Sequence, residues 1–455
     1  MYYGQFNDSY PPQTDGVAQT MLNYAVWLNR MPDTQCCVVT PQHTLADDKY
    51  DFPVIRFISL PLPTVKEYTL GLPEIAFRTT IKLDSLPLKL VHAHCPFASG
   101  TLALMTARKK NIPMVATFHT KFADDFAQRL RMENAGKIAA KYTATFFSQA
   151  DEVWAVNSSS ARTLADYGYR GAVTVMPNGC DFAPMERTPE IRQKVLQHFS
   201  MDNKPLLLFV GRVVEQKNIG FLLKSFSQIK EVDCNLLLVG DGESFPHYRK
   251  VAAELGIANR VKFAGIVRDR DLLRNIYASA DIFVLPSVYD NAPLVVREAA
   301  SCGCPSALIA GSDAAEGIID GENGFTAALD TVAYARMLEN VLKNPDKIKA
   351  AGEEARRTVY MSWESVVHRA AGEYKRIIST YNDKQTNALC KRRYYSIPVT
   401  IAQELFDKQA MRVKFTTKRV NRLAKHRLSV MQKATIKRIK EMRTSLLENI
   451  RKRGL

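Results

Sequence analysis

The sequence has no apolar run of the ~18 residues that a membrane-spanning helix requires. Its start, M-Y-Y-G-Q-F-N-D, also lacks the basic segment and apolar stretch of a secretory signal. The eight cysteines form no C-x-x-C pair and most lie in apolar runs, which indicates buried reduced thiols rather than disulfides or a zinc site. We therefore expect a cytoplasmic protein that holds no metal.

Familiar nucleotide-binding patterns are missing as well. The best match to G-x-G-x-x-G, Gly240-Asp241-Gly242, has Phe245 where the third glycine would stand, which disfavours a dehydrogenase. No G-x-x-x-x-G-K-[ST] is present, so P-loop chemistry is disfavoured too. We also expect no D-x-D carboxylate pair in a loop, the pattern that would indicate a diphosphate held through a metal ion.

Basic residues are concentrated at one end of the chain. Residues 383–455 hold 20 of the 62 lysines and arginines and 5 of the 46 acidic residues, so they carry +15 of the net charge of +16. The preceding body is nearly neutral. This asymmetry indicates a separate segment with an anionic partner.

Short apolar runs alternate with helical patterns along the body. Predicted strands of the first half are residues 2–6, 36–40, 54–57, 90–93, 114–118, 152–156 and 173–176. Predicted strands of the second half are residues 206–210, 235–239, 261–263, 282–285 and 306–309. The alternation predicts an α/β protein with two Rossmann-like units in series, whose ligands bind in a cleft at the carboxyl ends of the strands.

The expected domain boundaries follow from the same pattern. The first Rossmann-like domain covers 1–179 and the second covers 180–360. A helix at 361–382 and a basic helical tail at 383–455 complete the chain.

Residues 289–303, Y-D-N-A-P-L-V-V-R-E-A-A-S-C-G, have the pattern of a polar loop that leads from a strand into a helix N-terminus. Unpaired N–H groups at such an end bind anions, and two carboxylates, Asp290 and Glu298, flank it. Phosphates need donors and hydroxyls need acceptors, so the stretch fits a sugar attached to a diphosphate. The alternative is an ordinary α/β connection in which Glu298 lies on a solvated helix face.

Three more loops are predicted at the same edge of the sheets. Gly16 precedes the first helix and offers its N–H to a phosphate, while His119 ends the strand V-A-T-F-H. The loop 211–218, G-R-V-V-E-Q-K-N, places Arg212 and Lys217 within reach of one diphosphate. Each has a simpler alternative: an ordinary turn at Gly16, a structural role for His119, and a solvated loop at 211–218. Their shared position above the expected cleft favours a binding site.

Taken in order, these pieces resemble glycosyltransferase family 4, the group 1 transferases of the GT-B fold. The matching segments are P-P-Q-T-D-G-V, F-H-T, M-P-N-G-C-D, F-V-G-R-V-V-E-Q-K-N, L-V-G-D-G, F-A-G and D-I-F-V-L-P-S…A-P-L-V-V-R-E-A-A-S-C-G-C-P. They run from Tyr10 to Phe325, and the basic tail lies outside them. The family hallmark is two Glu separated by seven residues, and here Asp290 stands first and Glu298 second.

The resemblance implies a retaining transferase that uses a nucleotide sugar, taken here as UDP-linked, and that needs neither a metal nor another cofactor. The implied catalytic residues are His119, Arg212, Lys217, Asp290 and Glu298. The implied donor-binding residues are Gly16, Gly211, Arg212, Lys217, Asp290, Asn291, Ala292, Pro293, Leu294, Val295 and Glu298.

The resemblance also implies that domain 1–179 lies on the acceptor side and that domain 180–360 binds the nucleotide-sugar donor. Glu298 would accept hydrogen bonds from the ribose, and Asp290 would hold sugar hydroxyls. Arg212 and Lys217 would neutralise the departing diphosphate in place of a metal, and His119 would contact the sugar near the reacting carbon. The last helix of the body often crosses back onto the first domain in this family, and residues 363–381 have the required helical periodicity.

The basic tail indicates what kind of acceptor the protein uses. Residues 406–453 contain neither Pro nor Gly, and their apolar residues fall mostly three, four or seven apart, which predicts long amphipathic helices with a cationic face. Such a face suits an anionic membrane, where each basic residue contributes ~1 kcal/mol. A helix packed on the body or on a partner is the alternative. Nucleic acid is the least favoured partner, because aromatic residues for base stacking are nearly absent after Phe415.

We therefore expect a transferase at the inner face of the membrane with a lipid acceptor such as diacylglycerol. Two other functions stay open. One is transfer to a soluble glycan or a small molecule. The other is an inactive scaffold that binds a membrane or a partner. This alternative stays open because Asp290 replaces the first Glu of the family hallmark.

Overall fold

The computed structural model describes residues 1–13, 15–61, 69–123 and 133–385, and for 61, 133–135 and 382–385 it describes the backbone alone. The amphipathic helices predicted over 406–453 lie outside the described residues. Among the described helices, none combines the length and the apolar character that crossing a membrane requires.

The first half of the chain folds around a seven-stranded sheet in which all neighbours are parallel, in the order β3-β2-β1-β6-β7-β8-β9. Its strands are β1 (Tyr2–Phe6), β2 (Gln35–Pro41), β3 (Val54–Phe57), β6 (Leu88–Ala93), β7 (Met114–Phe118), β8 (Glu152–Ala155) and β9 (Thr174–Val175). A short antiparallel hairpin consists of β4 (Ser59–Pro61) and β5 (Thr69–Gly71). The helices are α1 (Gly16–Arg30), α2 (Phe77–Ser85), α3 (Ala98–Lys110), α4 (Glu133–Phe147) and α5 (Ser158–Asp166). The strand order reverses between β1 and β6, which is where ligands of such sheets bind.

The second half repeats this architecture with six parallel strands in the order β12-β11-β10-β13-β14-β15. Its strands are β10 (Leu206–Val210), β11 (Asn235–Val239), β12 (Val261–Gly265), β13 (Ile282–Leu285), β14 (Ser306–Ile309) and β15 (Gly324–Ala327). The helices are α6 (Pro189–Phe199), α7 (Ile219–Gln228), α8 (Phe245–Glu254), α9 (Arg270–Ser279), α10 (Leu294–Ser301), α11 (Thr331–Leu342) and α12 (Pro345–Thr358). Its order reverses between β10 and β13, so the predicted loop 211–218 and the loop 286–293, which contains Asp290 and Asn291, leave the two strands at the switch point.

A final helix, α13 (Trp363–Gln385), leaves the second unit and packs on the first sheet. The Tyr374 ring stacks on Trp154 of β8, with ring centroids 5.4 Å apart and planes 4° apart. The chain passes between the units at two adjacent points, where Cys180 N–H donates to the Met361 carbonyl and Trp363 N–H donates to the Cys180 carbonyl. A Cβ on Gly179 would lie 2.7 Å from the Cα of Trp363, so this close crossing requires glycine.

The predicted fold class is confirmed: two parallel Rossmann-like sheets and the helical segment from residue 363 are all present. The predicted cysteine chemistry agrees for the seven described cysteines, which are buried free thiols. The hairpin β4–β5 and strand β15 were missed, because three-residue strands and G-F-T-A have too little apolar pattern to signal a strand. The domain boundaries stay a prediction.

Candidate active site

The two loops at the switch point of the second sheet meet through an ion pair. Lys217 Nζ, in the loop 211–218, lies 2.5 Å from Asp290 Oδ1, in the loop 286–293. The side-chain amide of Asn218, a residue with left-handed backbone geometry, donates to a carbonyl of the second loop at 3.2 Å. The predicted neighbours Lys217 and Asp290 are therefore brought together.

Gly211 and Gly240 allow the loops after β10 and β11 to approach each other closely. A Cβ on Gly240, whose φ is +133°, would lie 1.9 Å from the Gly211 carbonyl oxygen. The G-D-G motif thus serves backbone packing. The Gly211 N–H already donates to β11, so this residue can contribute close backbone approach but no free donor.

Two buried acceptors at this site have no hydrogen-bond partner among the described residues: Asp290 Oδ2 and Asn291 Oδ1. Buried polar atoms in folded proteins are nearly always paired, so adjacent exceptions need an explanation. They stand beside the Lys217 ammonium and ahead of α10, whose N-cap is Pro293 and which no side chain caps. The arrangement provides acceptors for hydroxyls next to a cation and the first-turn N–H groups of Leu294 and Val295 for an anion.

Glu298 is buried on α10, with 8% of its surface exposed, so the alternative of a solvated helix face is wrong. Its Oε1 accepts from Arg270 Nη2 at 3.0 Å and its Oε2 accepts from the Tyr277 hydroxyl at 2.8 Å. Burial raises the pKa of Glu298, and the Arg270 guanidinium opposes that rise. The carboxylate is fixed in orientation while each oxygen keeps a lone pair for a ligand.

Arg270 and Tyr277 were missed in the sequence analysis. Arg270 also donates to Asp181 Oδ1 at 2.7 Å and lies over the Phe182 ring, 4.2 Å from its centroid. A single arginine thus connects Glu298 to the start of the second unit. The spacing of these residues along the chain gave no signal of the contact.

His119 lies at the end of β7 and reaches the second unit through its backbone. Its carbonyl accepts from Asn291 Nδ2 at 2.9 Å, and its ring Nε2 lies 3.0 Å from His94 Nδ1. Burial lowers the pKa of His119 to about 3, so the ring is neutral at physiological pH. The sequence identified His119 but not its partner His94.

Gly16 is exposed at the start of α1, and a Cβ there would meet no atom within 4 Å. Asp15 caps this helix, and its carboxylate already accepts from the N–H groups of Val17 and Ala18. The N–H groups of Val17 and Ala18 are therefore already paired and are not available to a ligand. The space beside Gly16 remains open to a ligand.

Arg212 is not brought into the ion pair. Its side chain is exposed and makes no hydrogen bond or ion pair with any residue that the structure describes. Among the described residues it remains an unpaired cation, in the loop that also carries Lys217.

Several contacts join the two units beside this site, and none was predicted. Asn157 Nδ2 donates to the Asn291 carbonyl at 2.8 Å, and Asn178 Nδ2 donates to the Ala292 carbonyl at 3.1 Å. The Glu316 carboxylate accepts the N–H groups of Ser158 and Ser159, at the N-terminus of α5, each at 2.7 Å. Lys121 and Asp313 add an ion pair between the two units at 2.6 Å.

We expected no D-x-D pair in a loop, but a D-x-D spacing does occur at Asp269 and Asp271, at the start of α9. The Asp269 carboxylate caps α9 by accepting from the N–H groups of Asp271 and Leu272, at 2.9 and 3.1 Å. Within 1–13, 15–61, 69–123 and 133–385, no three His, Cys, Asp or Glu side chains cluster as metal ligands.

Two parallel Rossmann-like sheets, joined by a helix that crosses back and carrying an anion and hydroxyl site at the switch point, define a GT-B glycosyltransferase. The sequence model for "Glycosyl transferases group 1" matches residues 190–358, and that for "Glycosyltransferase Family 4" matches residues 14–183. The two matches together cover about three quarters of the chain. The chain belongs to the group 1 nucleotide-sugar glycosyltransferases of family 4.

Curated relatives and solved structures agree with this assignment. The chain is 27% identical over 318 residues to the alpha-monoglucosyldiacylglycerol synthase of Streptococcus pneumoniae, a match that covers 67% of this chain and 70% of the relative. It is 26% identical over 344 residues to the enzyme of the same name from Acholeplasma laidlawii, covering 71% of this chain and 84% of the relative. The crystal structure of Anabaena HepE in complex with UDP-glucose is similar in fold, with a TM-score of 0.65, 19% identity, and coverage of 83% of this chain and all of that one.

Proposed function

We propose that the chain is a retaining, metal-independent hexosyltransferase that moves a sugar from a UDP-linked donor to a membrane lipid such as diacylglycerol. The observation that carries this proposal is the pair of unpartnered buried acceptors, Asp290 Oδ2 and Asn291 Oδ1, beside Lys217 and the uncapped start of α10. A sugar diphosphate supplies hydroxyl donors and an anion in that arrangement.

Each part of the donor has a counterpart in the site. The ribose hydroxyls would donate to Glu298, which Arg270 and Tyr277 hold in place. The diphosphate would lie against the first turn of α10 and the open space at Gly16. Lys217 Nζ uses one of its three donors on Asp290, which leaves two for phosphate oxygens.

The chemistry follows from where charge develops. The bond from the anomeric carbon to the phosphate oxygen breaks, the bond to the acceptor oxygen forms on the same face, and the acceptor proton passes to the departing phosphate. Positive charge grows on the sugar and negative charge on the diphosphate, so Lys217, Arg212 and the α10 dipole stabilise the transition state without a metal. The neutral His119 adds no positive charge near the sugar.

The lipid acceptor rests on two lines of support. Both relatives named above are monoglucosyldiacylglycerol synthases. Residues 383–455 carry a net charge of +15, which favours an anionic membrane at the cytoplasmic face.

The direct test is nucleoside diphosphate release from a panel of nucleotide sugars, with and without anionic liposomes that contain diacylglycerol. We expect release from one donor, stimulation by the liposomes, no loss on addition of EDTA, and an α-linked product from an α-linked donor. Glu298→Gln should reduce kcat/KM by about a hundredfold, because it weakens the acceptor of the ribose. Glu353→Gln, at an exposed position on α12, is the matched control.

The other outcomes separate the alternatives. Equal release with and without liposomes would replace the lipid by a soluble acceptor. If the protein binds a donor but releases no nucleoside diphosphate with any donor or acceptor tested, the result would favour an inactive scaffold. Abolition by EDTA would overturn metal independence.

The tail can be tested in the full chain. Replacing Lys414, Lys418, Arg422 and Lys425 by Gln removes four positive charges from 406–453. Since each contributes ~1 kcal/mol near an anionic surface, we expect liposome affinity to fall at least tenfold. Flotation with anionic and with neutral vesicles measures this, and equal flotation of wild type and variant would contradict a membrane role.

A further inference from the structure

A buried chain of hydrogen bonds connects His119 to a glutamine on the first strand. Gln5, on β1, is fully buried, and its Oε1 lies 2.7 Å from His94 Nε2. His94 Nδ1 in turn lies 3.0 Å from His119 Nε2. The three residues come from β1 and from the ends of β6 and β7, three adjacent strands at the switch point of the first sheet.

The amide oxygen of Gln5 gives this chain a direction. A carboxamide oxygen can only accept, so His94 carries a proton on Nε2. Burial lowers the pKa of His94 well below its ordinary value, so the ring is neutral and its Nδ1 has a lone pair. That lone pair accepts from His119 Nε2–H. His119, also neutral, is left with a lone pair on Nδ1.

The other end of the Gln5 amide agrees with this direction. Gln5 Nε2 lies 3.3 Å from the hydroxyl oxygen of Tyr374 on α13 and donates to it. The Tyr374 hydroxyl then donates to His92 Nδ1 at 2.6 Å, and His92 Nε2–H donates to Thr117 Oγ1 at 2.6 Å. Every ring nitrogen in the network has one role, and no donor faces another donor.

We propose that Gln5 and His94 are positioning residues that hold His119 in its Nε2–H tautomer, so that His119 Nδ1 accepts a hydrogen bond from a hydroxyl of the transferred sugar. The inference rests on the proposed function. His119 Nδ1 makes no hydrogen bond with any residue in the described part of the chain. The His119 carbonyl accepts a hydrogen bond from the side-chain amide of Asn291. The Oδ1 atom of that amide is one of the two unpartnered acceptors.

The tautomer matters for the chemistry as well as for binding. A lone pair directed at the sugar adds partial negative charge where positive charge develops, and this lowers the barrier. An N–H group in the same place would oppose that charge and would face a hydroxyl only as a donor. The site would then present acceptors from both units: Asp290 and Asn291 from one, His119 from the other.

The tautomer is measured directly by nitrogen NMR of the full chain labelled with ¹⁵N-histidine. A His119→Asn sample assigns the His119 signals. We expect Nε2 to have the chemical shift of a protonated nitrogen and Nδ1 that of an unprotonated one, unchanged between about pH 5 and 8 because the pKa is far below this range. A protonated Nδ1, or a mixture of tautomers in the wild type, would overturn the proposal.

A variant pair tests the role of Gln5. Gln5→Met keeps the approximate volume but removes the acceptor of His94, so His119 should populate both tautomers and kcat should fall about tenfold with little change in donor KM. Tyr334→Phe is the control, because it removes another buried hydrogen bond, to the Ala307 carbonyl at 2.8 Å, outside the network. It should keep both the tautomer and kcat.

The two proposals fail in different ways. If no donor is turned over, the function proposal fails while the tautomer measurement still decides on Gln5 and His94. If turnover is present but Gln5→Met leaves the His119 tautomer and kcat unchanged, the positioning role is wrong. Because the wild-type spectrum is decisive alone, a Gln5→Met chain that does not fold removes only the second test.

Discussion

The two halves of the molecule share an architecture but offer opposite chemistry at the site. The second unit presents charge: the Lys217–Asp290 pair, the buried Glu298 and the free Arg212. Beside the loop that carries Asp290 and Asn291, the first unit presents neutral groups, among them His119, whose carbonyl accepts from Asn291. On the proposed function, the side-chain charges that hold the diphosphate come from the second unit, while the first unit contributes the backbone at Gly16 and hydrogen bonds to neutral parts of the substrates.

Loss of Lys217 should have the largest effect. Lys217→Ala removes the cation beside the proposed diphosphate position and leaves the partly buried Asp290 without its partner, so kcat/KM should fall about a thousandfold. Lys217→Arg keeps the charge and should retain more activity. Steady-state kinetics with the active donor measures both, and an alanine variant within tenfold of wild type would break the assignment of charge to this side.

Arg270 should set the pH dependence of kcat/KM through the pKa of Glu298. Arg270→Met removes the cation that opposes the rise in the pKa of Glu298, so that pKa rises further and ionised Glu298 is lost at higher pH. The acid limb of the pH profile of kcat/KM should therefore move to higher pH by about one unit, corresponding to ~1.4 kcal/mol.

A variant of His119 should differ from Arg270→Met in its pH profile. His119→Gln should lower the rate without moving the acid limb, because the pKa of His119, about 3, lies below the range of the assay. An acid limb that shifts in His119→Gln but not in Arg270→Met would reverse the comparison.

The smallest expected effect is at the contact between Glu316 and the start of α5. Glu316→Ala removes an acceptor of two N–H groups, so the contact between the two units should weaken by about 1 kcal/mol, and donor affinity should fall about fivefold if the donor binds between them. Calorimetry measures this against the exposed control Glu322→Ala. The pKa of Glu316 is lowered, since the Ser158 and Ser159 N–H groups outweigh its burial, so the contact is present at neutral pH and is lost as pH falls through that pKa.

The sequence was sufficient for the sheets because parallel strands covered on both faces are continuous apolar runs, such as L-L-L-F-V in β10. It also placed Lys217 and Asp290 in loops that the structure brings together, since loops at the switch point follow from strand order. It could not give the contacts of Glu298, because Arg270 and Tyr277 lie 28 and 21 residues away along the chain. Gln5 and His94 were missed for the same reason, as they are separated by 89 residues and have no motif of their own.

The crossing helix α13 has a consequence for how the chain is made. Tyr3 on β1, Trp154 on β8 and Tyr374 on α13 belong to one buried cluster, so the face of the first sheet stays open until the last of them is available. During synthesis, nearly the whole second unit emerges while that apolar face is exposed to water. Such long-range closure slows folding and exposes the nascent chain to aggregation. A chain that ends before α13 would leave this apolar face uncovered, so we expect it to be a target for chaperones and proteases.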